Sequence, residues 1–129
     1  MKNQQSKLHG SPVLGAIAVA ALGSVLSHAQ DAPRSFVASP DIYKVIAEDD
    51  NYRVIAVTWK PGQRDKLHSH GSVVAAYNLT DCTARIHNQN GKTTELSRKA
   101  GQALVSPTQI HSIENVGKKN CKIILFEPK

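Results

Sequence analysis

The stretch KLHSHGS, residues 66–72, sets two of the chain's six histidines one residue apart. On extended backbone, residues i and i+2 project to the same face about 7 Å apart. His68 and His70 could then converge on a single ion, whereas on a helix the same pair would diverge. Neutral imidazole is a common ligand for divalent transition metals, and a site needs a third or fourth donor. The pair alone is weak evidence, and by itself it more often marks no more than the polar end of a strand. The chemistry therefore depends on which elements carry these residues and on what those elements bring alongside.

Those elements read as strands. IYKVIAEDD and YRVIAVTWK are rich in Val, Ile, Tyr and Thr, with EDDN between them as a turn. PGQRDK is a loop, followed by SVVAAYNL, the tight turn TDC and TARIHNQ. Asn90-Gly91 is a strong hairpin signal, because a two-residue turn requires the positive φ angles that these residues accept. TTELS, QALVS, HSIEN and KIILFEP complete the series, and helical periodicity is nearly absent. Many short strands at even spacing predict an all-β sandwich or barrel. DAPRSFVASPD is expected to lead into it as an extended segment on the outside.

Two blocks sharpen this. PGQRDKLHSH runs Gly62, five residues, His68, one residue, His70; GQALVSPTQIHSIEN runs Gly101, five residues, Pro107, then His111, three residues, Asn115. In this order, with Asn90-Gly91 between them, they resemble the two signature motifs of the cupin superfamily, over roughly Tyr52 to Phe126. The resemblance implies a single-domain jelly-roll β-barrel, with residues 30–51 as extended segment and first strand and residues 52–129 as the barrel. It also implies one divalent metal ion (Fe, Mn, Zn, Ni or Cu) held by His68, His70 and His111. Gly62, Gly101, Pro107 and Asn115 match positions that are structural in the family.

The chain departs from the pattern. Gln109 stands where a glycine is usual, with one residue fewer before His111, and Asp81 replaces a closing glycine. Most metal cupins also carry a glutamate separated from the second histidine by three or four residues, where this chain has Val74 and Ala75. Three neutral imidazoles would leave the ion's charge uncompensated, favouring an anionic ligand at open positions. Among cupins this points toward three-histidine oxygenases of small molecules. The alternative is a non-catalytic module binding a small anionic or sugar-like ligand. SVVAAYNL is expected to line the cavity through Ala75 and Tyr77, although a packing role for Tyr77 is as consistent. Trp59 reads as core, His87 as a non-ligand, and Arg64 and Lys66 as solvated or anion-attracting loop residues.

The chain begins with Lys2 and Lys7, then the uncharged apolar run VLGAIAVAALGSVL (13–26), then Ser27 and Ala29. That is the pattern of a secretory signal over residues 1–29, cleaved after Ala29. The run is short for a bilayer span of about 20 residues, so no membrane anchor is expected after cleavage. Without Lys2 and Lys7 the 16 basic residues become 14 against 10 acidic, a net charge of +4. Arg98-Lys99 and Lys118-Lys119 are dispersed, which gives no case for nucleic-acid binding. The expected partners are a small-molecule ligand or substrate and, since cupins frequently pair through edge strands, a second copy of the chain.

A secreted or periplasmic chain with two cysteines, Cys82 and Cys121, invites a disulfide. The jelly-roll resemblance makes this geometric, because the strand ending at Asp81 should run antiparallel beside the one starting near Cys121. Reactive or metal-binding thiols are the competing reading. Asn78-Leu79-Thr80 is formally a glycosylation sequon, placed in a strand.

Overall fold

The computed structural model describes residues 32–129, so the expected signal segment lies outside the described residues. Eight strands follow in chain order: β1 (Tyr43–Glu48), β2 (Tyr52–Trp59), β3 (Val74–Asn78), β4 (Cys82–Asn88), β5 (Thr93–Arg98), β6 (Ala103–Ser106), β7 (His111–Asn115) and β8 (Cys121–Pro128). One sheet has the order β1-β2-β8-β3-β6 and the other β5-β4-β7, with every pairing antiparallel. This is the predicted all-β jelly roll. Each strand corresponds to one of the predicted runs, but the hairpin is longer than the expected two-residue turn: Gly91 N–H donates to Asn88 O, and only Gly91, not Asn90, has a positive φ, of 83°.

Alternation on these strands builds the core. Ile55, Val57 and Trp59 of β2 cluster with Leu125 of β8 and Val74 and Ala76 of β3 along the inner side of the larger sheet, together with Ile42 and Tyr43. Ring edges add to the area term, since Tyr43 and Trp59 meet edge-on at 5.6 Å between centroids. Strand β1 is an edge strand whose register shifts between Val45 and Ala47. Such a bulge twists an open edge away from further pairing.

The lead segment differs from expectation. It holds a one-turn helix, α1 (Ser35–Ala38), with Ser35 and Ala38 buried rather than an extended run on the outside. Tethering explains the difference. Ser69 N–H donates to Pro33 O at 2.9 Å and Ser69 Oγ to Ala32 O, while Lys66 N–H donates to Ser39 Oγ. The segment is thus strapped onto the histidine loop and must turn to reach β1.

Cys82 and Cys121 form a disulfide with Cα atoms 5.0 Å apart. It joins the start of β4 to the start of β8, and β3 runs antiparallel to β8 as expected, with Asn78 opposite Ile123. Asn78 itself is buried, so the formal sequon faces the interior.

Candidate metal centre

His68 and His70 do not sit in a regular strand. The loop after β2 runs extended beside β7 and is pinned to it by main-chain bonds. Gly62 N–H donates to Asn115 O, Asp65 N–H to Ile113 O, and His68 and His111 exchange both main-chain hydrogen bonds at 2.9 and 3.1 Å. Residues directly opposite in an antiparallel pair point to the same face. The two motifs are therefore zipped together, and the zipper places His111 against His68. Gly62 turns the chain into this path at φ 75°, a conformation in which other residues are strained.

The three rings form a near-equilateral cluster. Centroids lie 5.0 Å apart for His68–His70, 4.8 Å for His68–His111 and 5.3 Å for His70–His111. All three residues are buried, and one nitrogen from each falls within 4.8 Å of the others. The other nitrogens are occupied in two of the three. His68 Nδ1 lies 2.9 Å from Lys66 O, which fixes Nδ1 as the protonated nitrogen, and His70 Nδ1 is hydrogen-bonded to Glu127 Oε1. Both arrangements leave Nε2 as the free donor atom, the usual second support of a metal-bound histidine. His111 is different: both its ring nitrogens are buried with no hydrogen-bond partner.

Burial, then the neighbouring His68 and His70, pushes His111 down to about 3, so the ring is neutral at physiological pH. Burial also lowers His68, opposed by the charge of Asp65. Neutral imidazoles are what a metal requires.

Two buried carboxylates flank the cluster. Glu127, 1% exposed, projects from the inward phase of β8 and takes an ion pair from Arg34 Nη2 at 3.3 Å. Burial raises its pKa, but the hydrogen bond and charge of His70, with Arg34, bring it net below the usual carboxylate range. Asp65 accepts from Tyr43 Oη at 2.6 Å, Trp59 Nε1 at 2.9 Å and Ile113 N–H at 2.6 Å. Tyr43 Oη is also 3.4 Å from His68 Nε2, and burial with the Asp65 charge raises its pKa well above the usual value. The candidate ligand group holds the three histidines and no carboxylate, as expected, while Asp65 and Glu127 stand behind the rings, the latter shared with Arg34. The buried negative charge near the cluster lies on β8 and in the loop, behind the rings, and positions 74 and 75 carry none.

Sequence reasoning passed over Glu127, Asp65, Tyr43 and Arg34. A signal for Glu127 was present: on β8 it continues the inward series Cys121, Ile123, Leu125, where an acid is out of place. Ala75 and Tyr77 are a correction of the opposite kind. Strand phase puts Val74, Ala76 and Asn78 inward, and Tyr77, 48% exposed, faces outward with Ala75. A cavity of about 310 Å³ fills the barrel, with His70 and His111 in its wall and apolar side chains from both sheets around it. His87 pairs with Glu114 at 2.9 Å, away from the cluster, and Arg64 Nε donates to Ser112 Oγ.

Known families agree with this architecture. Residues 30–127 match the family described as mannose-6-phosphate isomerase C-terminal. No curated protein matches the chain. A cupin domain protein from Bordetella pertussis superposes with a TM-score of 0.63 at 16% identity, covering 77% of this chain and 97% of that one. A conserved double-stranded β-helix domain protein from Klebsiella pneumoniae gives 0.53 at 27% identity, covering 67% and 76%. The polyketide cyclase RemF from Streptomyces resistomycificus gives 0.52 at 16%, covering 67% and 63%. With two interlocked motifs, a jelly-roll barrel and a family match over most of its length, the chain belongs to the cupin superfamily, in the mannose-6-phosphate isomerase C-terminal family.

Proposed function

We propose that this chain is an exported metallocupin that holds one divalent ion on His68, His70 and His111 and takes a small organic ligand into the barrel. The observation that carries the reading is His111, whose two ring nitrogens are out of water and unpaired. A buried polar atom without a partner is costly, and a cation shared with two further imidazoles would offset that cost. Imidazole donors suit Fe, Zn, Ni or Cu, and of the ions considered Mn leans most toward oxygen ligands. When bound, such an ion supplies Lewis acidity, with positions open to a ligand.

The protein's own part is orientation and exclusion. Glu127 and Lys66 O hold two rings by Nδ1, the main-chain zipper sets the third, and apolar walls keep bulk water from the inner face. Tyr43 keeps its proton and donates it to Asp65. Export is supported by the leader-like residues 1–29 and by the disulfide, which persists in oxidising compartments. Among the described residues, no helix is long and apolar enough to cross a membrane.

RemF is named a polyketide cyclase, so small-molecule chemistry on this barrel supports an enzymatic reading, with a metal-dependent oxygenase as the first reaction to assay. One observation favours the non-catalytic alternative: Asp65 and Glu127 are both engaged by other groups, leaving no free acid beside the histidines. The deciding experiment is elemental analysis of the chain purified from its own compartment, beside a His68→Ala, His111→Ala variant. We expect close to one ion per wild-type chain and near-complete loss in the variant. Equal metal in the two would end the proposal.

A further inference from the structure

We propose that Arg98 is an anion anchor at the far end of the barrel cavity. The ligand it selects is a small organic acid whose carboxylate pairs with Arg98 while an apolar body extends toward the histidines. This deepens the proposed function and rests on it at the histidine end only.

The two ends are separated by strand register. Arg98 stands opposite Cys82 across β4 and β5, and His111 stands opposite Asn88 across β4 and β7. The full length of β4 lies between, about 20 Å at the usual rise per residue. The same cavity reaches both, and its wall between them is apolar, including Ala84, Leu96, Leu104 and Ile123. A cation facing such a wall is unusual. Arg98 lies there because β5 alternates, with Leu96 and Arg98 turned inward from exposed Ser97.

Its guanidinium lacks a counter-charge. Arg98 Nε is buried with no hydrogen-bond partner, and among the described residues Arg98 makes no ion pair. Asp81, which shares an outer pocket with Arg98, is already held by Lys99 Nζ at 3.0 Å and Ala100 N–H at 2.9 Å. The same pocket carries Lys118 and Lys119, so the surrounding field is positive and favours an anion. Nε is dry, while Nη1 and Nη2 are not among the buried unpartnered atoms and Arg98 borders the outer pocket as well, so the end of the fork is within reach of an anion entering from that side. The planar fork suits the two oxygens of a carboxylate, and the buried amide of Asn78 lies at the same end of the cavity.

The test is calorimetric titration of the full chain with octanoate and with its uncharged counterpart octanamide, with metal present and after chelation. The variants are Arg98→Gln and Arg98→Lys, with thermal melting as the check that both fold. Octanoate should bind the wild-type chain and bind Arg98→Gln about 10- to 100-fold more weakly, the range for one charge-assisted pairing. Arg98→Lys, which keeps the charge but lacks the fork, should bind octanoate more tightly than Arg98→Gln and more weakly than the wild-type chain, and octanamide should bind weakly to all three. Equal octanoate binding to wild type and Arg98→Gln overturns the anchor, as does wild-type binding no better than that of octanamide. Failure of the metal reading is separable. A wild-type chain without metal that still binds octanoate through Arg98 loses the ion and keeps the anchor.

Discussion

Replacing Glu127 by glutamine keeps the shape of the side chain but removes the charge that holds the His70 ring. Supports of this kind behind a metal-bound histidine are worth about 10- to 100-fold in affinity. Competition with a chromophoric chelator should show that loss for Glu127→Gln, with melting of the metal-free protein changed far less. An unchanged affinity would mean that the carboxylate serves only packing. The cluster also predicts acid sensitivity. His111 falls to about 3 in the folded chain through burial, whereas in the unfolded chain it regains its ordinary value of 6.5. Below 6.5 the unfolded state binds the proton and the folded state does not, so stability is full above that pH and drains away toward 3. For the metal-free protein, moving from pH 6.5 to 5 should cost about 2 kcal/mol from this residue alone. His68 shifts in the same direction. Urea midpoints that rise on acidification would refute the assignment.

At the scale of elements, the N-terminal strap belongs to the site. Gly71 has room for Arg34 only because it lacks a side chain: a Cβ there would come within 2.0 Å of the Arg34 guanidinium. Gly71→Ala should therefore push Arg34 off Glu127 and reproduce the effect of Arg34→Ala on metal affinity. Combined, the two should not add, since both break one ion pair; additive losses would disconnect Gly71 from the strap.

The strands were legible because β-branched alternation and turn residues mark them directly, and His68, His70 and His111 were legible because their spacing survives in the chain. Ala75 and Tyr77 were misplaced because two-residue alternation permits either phase until a neighbour fixes it. Here β8 does so, setting Ala75 opposite Phe126 on the outer face. The strap and the carboxylates were hidden for another reason. Arg34 and Glu127 are 93 residues apart, and only the closed fold makes them neighbours.

For the molecule as a whole, the disulfide closes a separation of 39 residues between β4 and β8. On the chain-entropy model such a crosslink stabilises the fold by about 4 kcal/mol. Reduction under native conditions, followed by denaturant titration, should show a loss near that size, and a Cys82→Ser, Cys121→Ser variant should match it. No change would indicate that the oxidised and reduced unfolded chains are equally restricted.

The strand order carries a consequence for timing. Strand β8 is the middle member of its sheet and comes after all seven others along the chain, carrying Glu127 near its end. A ribosome that has delivered β1 to β7 has made two sheet fragments with a gap between them and a histidine pocket missing its support. Contacts this distant in sequence also form slowly. Under the export and metal binding proposed above, such a polypeptide would stay threadable until release, and the compartment in which β8 closes the sheet would set which ion it takes.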